Sequence, residues 1–375
     1  MAWSVIDGIR DQGYSVTLVT QGRVNSRELD VIDLSNRRLW NLAWRVVRRI
    51  ARAGGRSDLA ERAQNFQLQR EVNRFETVKD EIVAVIALCT APHPATNADQ
   101  ISKILKVPLI LREHRNYLPK IRSPKDISPK MLEALQRADF VGAVSPHLAE
   151  TMKSVGVRQE ISVIPNSISN EFFKPPTEPL KLDNFFDCSD QDLFVFGGWT
   201  KWRNIKRIDV LIQAFHEVYI RVPGARLILA GEIAEDPDSE WVFDYLKKNG
   251  LSSVVSVLGK INRPEIHQLA HAVDCGVISS DYETFSLPAL EAHAAGKPVV
   301  TTKCGGPEFF INHESLGESV EKGSVTDLAT AMLKVYSRRS QYDREVISGH
   351  AARHFSSDSV SRLWDEVIRQ TIRGE

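Results

Sequence analysis

Residues 281–308, DYETFSLPALEAHAAGKPVVTTKCGGPE, restrict the fold of this chain more than any other stretch. Pro288 suits the first turn of a helix, where its missing amide proton costs nothing, and Ser286 suits the N-cap, so the spacing predicts a helix from about Leu287 to Ala295. Gly296 ends that helix, and Lys297 to Thr302 reads as a buried strand. Loop, helix and strand in this order form one step of a parallel sheet with crossover helices. They leave free amides and the positive helix end facing whatever lies beyond the loop, which suits a phosphate. Glu283 in the approach loop and Glu291 near the first turn both border that end. A single Glu there ordinarily serves only the helix dipole. Two of them framing Thr284 to Pro288, with Cys304 to Glu308 after the next strand, point to an anion pocket whose carboxylates accept hydrogen bonds from sugar or ribose hydroxyls.

The same rhythm runs along the chain. Apolar runs at 14–19, 82–88, 108–111 and 140–144 alternate with helical stretches, and a second series follows at 193–197, 226–231, 255–259, 275–279 and 298–301. Two doubly wound α/β units result, with ligands expected beyond the carboxyl ends of the strands, in a cleft between the units. Residues 173–192, rich in Pro, Asp and Asn and without periodicity, read as the linker. A chain of 375 residues gives each unit room for its own core.

Composition narrows the partners. Lys plus Arg equal Asp plus Glu at 48 each, which argues against a global nucleic-acid partner. Cys89, Cys188, Cys275 and Cys304 form no zinc or Cys-x-x-Cys spacing, which favours a reducing compartment. The longest apolar stretch, Ile82 to Cys89, falls far short of the roughly 20 residues that span a bilayer, and no signal peptide opens the chain, so a cytoplasmic location is expected. No Gly-x-Gly-x-x-Gly follows a strand, which weakens a dehydrogenase reading.

Glu283 and Glu291 with seven residues between them, then Gly296-Lys297-Pro298-Val299-Val300, then Gly305-Gly306-Pro307-Glu308, resemble the donor-site signature of the group 1 retaining glycosyltransferases of GT-B fold. The resemblance extends to Ser145–Gly156 and Ile161–Pro175, similar to the segment closing the N-terminal domain of that family, with Ser167 and Ser169 where Gly and Asp are usual. His350 to Arg373 resembles the terminal helix that packs back in such proteins. It implies an acceptor-side domain at 1–172, the linker at 173–192, a donor domain at 193–349 and a terminal helix at 350–375 packing on the first domain. Family members open with a strand and a Gly-rich loop, whereas Met1 already falls in the following helix. The first N-terminal strand is therefore expected to be missing, through truncation or in a degenerate member, leaving an unpaired sheet edge.

The resemblance also implies roles for single residues. Lys206 aligns with the family's phosphate-binding lysine, and Gly198 lies among the glycines that allow close backbone approach to a phosphate. The family's arginine just after the glycine is Trp199 here, in a loop two residues longer, so the second cation is expected from Lys201 or Arg203, with Arg203 favoured. Glu291 is implied to hold ribose hydroxyls and Glu283 hexose hydroxyls, with the amides of Phe285, Ser286 and Leu287 on the distal phosphate. His114, at the carboxyl end of the strand at 108–111, matches the histidine that faces the donor sugar; Arg115, Asn116 and Tyr117 would line the acceptor side. Asp236-Pro237-Asp238 reads as a turn, and the family implies no metal and no cofactor beyond the nucleotide-sugar substrate.

Residues 37–56 stand apart, with seven arginines and no acid. At about 100° per residue the arginines fill one arc and Leu39, Trp40, Trp44, Val47 and Ile50 the other. Two readings remain open, a basic amphipathic helix on an anionic membrane surface and a packed helix with a basic outer face. The expected activity is retaining, metal-independent transfer from a nucleotide-diphosphate sugar to a glycan or polyprenyl-linked acceptor of the cell surface, with peripheral placement at the inner membrane face. A nucleotide-sugar epimerase and a non-catalytic transferase-like scaffold are the alternatives.

Overall fold

The computed structural model describes residues 17–20, 30–33, 82–88, 92–114, 127–186, 193–233 and 237–373. The expectations for the start of the chain, for residues 37–56 and for Arg115, Asn116 and Tyr117 lie outside them. Strands β1 (Thr17–Thr20) and β2 (Asp30–Asp33) pair in parallel. They are followed by β3 (Val85–Ala87), α1 (Pro92–Leu105), β4 (Leu109–Glu113), α2 (Pro129–Arg137), β5 (Phe140–Ala143), α3 (Pro146–Ser154) and β6 (Ile161–Val163). The last four of these strands make one parallel sheet in the order β3-β4-β5-β6.

The second series is β7 (Phe194–Trp199), α4 (Ile208–Arg221), β8 (Ala225–Ala230), α5 (Pro237–Lys248), β9 (Val255–Val257), α6 (Arg263–Ala272), β10 (Cys275–Ile278), α7 (Leu287–Ala294), β11 (Val299–Thr302), β12 (Gly317–Val320), α8 (Val325–Ser337), α9 (Arg344–Phe355) and α10 (Ser357–Arg373). Its six strands are all parallel, in the order β12-β11-β10-β7-β8-β9. Strands β7, β8, β10 and β11 are buried along their whole length, which is why they read as apolar runs and not as alternating patterns. Phe196, Phe215, Leu227, Leu229, Val277, Val300 and Met332 belong to the core that helices cover. From β7 the chain winds outward through β8 and β9, then returns to place β10 on the other flank of β7. The order reverses between β7 and β10, and in such sheets ligands bind beyond the carboxyl ends of the strands at that point.

The residues cluster into two compact units, one formed by 144–150 and 165–360, the other by the described residues up to Ala143 with 151–164 and 361–373. The expected linker differs from this. Residues 165–186 pack on the C-terminal unit: the Ile168 amide donates to the Phe355 carbonyl at 2.8 Å, and His267 and Gln268 of α6 donate to the Lys174 and Glu178 carbonyls at 2.9 and 2.8 Å. Irregular composition marked a stretch without strand or α-helix, but it forms short 3-10 turns, its carbonyls find side-chain donors and the segment is docked. The terminal helix is also divided differently, since α9 ends at Phe355 and α10 begins at Ser357. In the N-terminal unit Trp364 and Ile368, four apart on α10, are buried. The Arg112 guanidinium lies 5.9 Å from the Trp364 ring and donates to the Ile164 carbonyl at 2.9 Å, and burial pulls its pKa down to about 9.

Candidate functional site

Two loops leave the carboxyl ends of β7 and β10. Residues 204–206 form a short 3-10 turn, and it is tied to the loop after β10 by the Asp281 amide on the Ile205 carbonyl and the Ser279 hydroxyl on the Lys206 carbonyl, both at 2.8 Å. That fixes the base of Lys206, whose Nζ reaches Glu283 Oε1 at 2.6 Å. The Ser280 hydroxyl donates to the same oxygen at 3.0 Å. Both partners are largely covered, with side chains 14% and 11% exposed, so removing either would leave a poorly solvated charge behind.

The main chain carrying Glu283 is held from two sides. The Glu283 amide donates to the Cys304 carbonyl at 2.9 Å, and the Ser145 hydroxyl donates to the Thr284 carbonyl at 2.6 Å. A Cβ on Gly306 would sit 2.5 Å from the Phe285 Cα, and one on Gly305 would collide with the His147 ring. The glycines after β11 are therefore required by the closeness of residues 283–285. The Phe285 ring turns inward onto Phe310 and Phe355, with centroids 5.4 and 5.9 Å apart.

Ser286 stands at the N-cap of α7 as expected but makes no side-chain cap. Its backbone is left-handed, with φ 73° and ψ 84°. Its hydroxyl is buried and has no hydrogen-bond partner among the described residues. An orphan hydroxyl beside the amides that open α7 is an uncommon and costly arrangement in a protein interior.

Glu291 lies one turn further along α7, and three elements converge on it. Trp199, last in β7, donates its indole N–H to Oε2 at 2.6 Å, and Arg263, first in α6, donates to Oε1. Arg263 is placed by a capping box in which the Glu265 amide donates to the Asn262 side chain at 3.0 Å and the Asn262 amide to the Glu265 carboxylate at 2.6 Å. The carboxylate is 3% exposed. Burial raises its pKa above the ordinary value, and the Arg263 charge and the Trp199 hydrogen bond oppose that rise. Two acids eight residues apart thus frame the start of α7, each bonded to a cation of the chain.

The expected second cations, Lys201 and Arg203, follow directly on β7. Thr200 and Trp202 continue the pairing of β7 with β8 through amides on the Ala230 and Glu232 carbonyls, both at 2.9 Å. Trp202 buries against Phe243, which leaves Lys201 and Arg203 on the surface, and Lys201 pairs with Glu232 at 2.7 Å. The arginine found on the acidic pair is Arg263. A signal for it existed, since a cation in the first turn of a helix opposes the macrodipole and calls for a carboxylate partner. Gly198 lies inside β7, where a Cβ would press on Leu211 at 3.1 Å and Leu229 at 3.3 Å, so packing already accounts for it. The Leu287 amide opens α7. His114 follows β4 in the N-terminal unit, its amide donating to the Glu113 carboxylate at 2.8 Å. Among the described residues no helix is long and apolar enough to cross a membrane.

Residues 1–172 match the family model described as Glycosyltransferase Family 4, and residues 190–351 the one described as Glycosyl transferases group 1. The chain is 25% identical over 277 residues to the N-acetyl-alpha-D-glucosaminyl L-malate synthase of Bacillus anthracis, covering 72% of this chain and 70% of that protein. It is 26% identical over 246 residues to the lipopolysaccharide core biosynthesis glycosyltransferase LpsE of Rhizobium meliloti, covering 64% and 67% of the two. In three dimensions it is similar to Anabaena HepE, crystallised in complex with UDP-glucose, with a TM-score of 0.63 at 21% identity over 81% of this chain and 82% of that one.

Proposed function

The chain belongs to the group 1 glycosyltransferases, and from that premise we propose that it moves a sugar from a nucleoside-diphosphate sugar to a glycan or lipid-linked acceptor, with retention and without a metal. The observation that carries this reading is the convergence of Glu283 and Glu291, with their bonded cations Lys206 and Arg263, on the start of α7 at the strand-order reversal. A departing diphosphate needs positive charge, and Lys206, the α7 amides at Ser286 and Leu287 and the orphan Ser286 hydroxyl supply it together. Glu291 keeps lone pairs beyond those taken by Trp199 and Arg263 and accepts from the ribose hydroxyls; Glu283 accepts from the hexose. With Lys206 and Ser280 on the same oxygen, Glu283 is a poor nucleophile. Transfer on one face follows instead. The bond from the anomeric carbon to the diphosphate oxygen breaks, the acceptor oxygen bonds to that carbon from the same side, and its proton passes to the departing diphosphate.

The structural relative was crystallised with UDP-glucose, and the LpsE relative is named for lipopolysaccharide core biosynthesis, so UDP-sugars head the donor panel and lipid-linked saccharides the acceptor panel. We expect one nucleotide sugar to raise the melting temperature and to be turned over only with acceptor, the transferred sugar keeping its anomeric configuration by NMR. Donor breakdown without any acceptor would favour the epimerase, and no stabilisation by any UDP or GDP sugar would favour the scaffold. Residues 37–56 would hold the enzyme at an anionic leaflet near such an acceptor, each basic residue adding on the order of 1 kcal/mol. Co-sedimentation with anionic vesicles that is insensitive to salt and to joint Arg45→Glu, Arg48→Glu, Arg49→Glu and Arg52→Glu replacement removes that part of the proposal.

The raised pKa of Glu291 gives a pH signature. A raised carboxylate takes up its proton at a higher pH than usual, so the ionised form that serves Arg263, Trp199 and ribose is lost early on acidification. Nucleoside-diphosphate affinity is expected to begin falling above the ordinary carboxylate range of about 4.3, and Glu291→Gln is expected to flatten that limb. An affinity held constant from neutral pH into that range in the wild type contradicts the assignment.

A further inference from the structure

The cation on Glu291 is itself held by a residue outside the donor-site signature. The Arg263 guanidinium lies 4.4 Å above the centre of the Phe172 ring, and Phe172 is fully buried. Phe172 belongs to the short 3-10 turn Asn170–Phe173, in the segment docked on α6. Its backbone is pinned there. His271 Nε2 bonds the Phe172 carbonyl at 3.0 Å, and Arg344 Nη2 lies 3.2 Å from His271 Nδ1. A guanidinium only donates, so Nδ1 accepts, His271 is neutral and its Nε2 carries the proton given to the carbonyl. Burial lowers the His271 pKa to about 4, which keeps this tautomer through neutral pH. The His267 ring packs on Phe172 with centroids 5.0 Å apart, and its Nε2 bonds the Lys174 carbonyl at 2.9 Å.

We infer that Phe172 is a positioning residue for the donor site: its ring, fixed by the His271 and His267 bonds to the neighbouring carbonyls, is the platform that holds the Arg263 guanidinium against the Glu291 carboxylate. Arg263 has a long side chain, 45% exposed, with several rotatable bonds. Without a face to lie on it samples water-facing rotamers, and Glu291 is left with Trp199 as its donor. A buried carboxylate short of one cation binds protons more readily and offers ribose hydroxyls a weaker acceptor. The aromatic platform thus converts a flexible surface arginine into a fixed part of the site. The inference rests on the reading of Glu291 as the ribose-holding residue.

The test is a double-mutant cycle of Phe172→Leu with Arg263→Met, read by calorimetry with UDP and GDP and by steady-state turnover, with melting temperatures recorded for every variant. Phe172→Leu is expected to weaken nucleoside-diphosphate binding about fivefold, to raise the donor KM alike, and to leave kcat within about twofold of wild type, because the platform acts on ribose binding and not on the sugar. In the Arg263→Met background the same change is expected to have no further effect. Phe172→Met, whose unbranched and flexible side chain adapts to an irregular gap, replaces Phe172→Leu if the latter fails to fold. Equal loss of affinity with and without Arg263, or wild-type affinity in a folded Phe172 variant, overturns the inference. Glu291→Ala run beside them separates the two failures: wild-type affinity there sinks the donor-site reading itself, whereas lost affinity there with none lost at Phe172 sinks only the platform.

Discussion

Glu291→Ala is expected to weaken nucleoside-diphosphate binding by roughly tenfold to a hundredfold, and Lys206→Ala by a similar factor. In the proposed site each removes a charge-assisted hydrogen bond to the nucleotide, worth about 1.5 to 3 kcal/mol. Each also strands a partner. Without Glu291 the buried Trp199 indole and the Arg263 guanidinium lose their acceptor, and without Lys206 the covered Glu283 carboxylate loses its cation. Breaking such a pair from one side destabilises a protein by about 3 to 5 kcal/mol when the group is well buried. After Lys206→Ala the stranded charge is Glu283, whose side chain is 11% exposed, so the lower part of that range applies there. After Glu291→Ala the stranded guanidinium of Arg263 is half-exposed and solvated, so the loss there is chiefly that of the Trp199 indole's acceptor. Calorimetry with UDP and GDP, with melting curves in parallel, checks both. Wild-type affinity in both folded variants would remove Glu291 and Lys206 from the donor site.

Gly306→Val is expected to abolish nucleotide binding as well, through the backbone and without touching a charged group. Its Cβ would overlap the main chain of Phe285, which cannot swing aside as a side-chain tip can. Overpacking costs about 1 to 3 kcal/mol even where side chains can yield. Here the strain falls on residues 283–286, bound on their other side to Ser145, so Glu283 and the Ser286 turn are displaced together. A lowered melting temperature with no measurable nucleotide affinity is the expected pair of results. A variant that melts and binds like wild type would show that the glycines after β11 are not what holds the loop.

The sequence made the repeating features readable and left long-range ones hidden. Buried parallel strands announce themselves as apolar runs, and α7 was legible to within one residue because Pro288 and Gly296 act locally. Gly296 takes φ 76° just beyond the helix, the conformation its lack of a side chain permits. Ser286 shows where local rules stop. An N-cap serine ordinarily bonds an amide of the first turn, but Ser286 follows a loop that Gly306 and Ser145 hold close, takes a left-handed backbone and makes no side-chain cap. In the loop after β7, the resemblance pointed to Lys201 or Arg203 because Trp199 stands where the family has an arginine, and the burial of Trp202 leaves both cations on the surface. Arg263 lies 28 residues from Glu291 and Phe172 further still, and their meeting depends on how α6, α7 and the docked segment pack. No spacing rule carries that information.

In the proposed reading Glu283 divides donor binding from sugar transfer, and Glu283→Gln tests that division most directly. Glutamine keeps the shape and an acceptor, removes the charge that engages Lys206, and frees that lysine for phosphate. Affinity for free UDP or GDP is therefore expected to stay within about twofold of wild type or to improve, while acceptor-dependent release of nucleoside diphosphate from the matching nucleotide sugar falls by roughly a hundredfold, the size of losing one charged hydrogen bond at the reacting sugar. The measurement is that release rate in wild type and Glu283→Gln, with nucleoside-diphosphate affinities taken on the same preparations. Turnover at the wild-type rate in the variant, or no release by the wild type from any nucleotide sugar, would contradict the account of this chain as a glycosyltransferase that grips its sugar through Glu283.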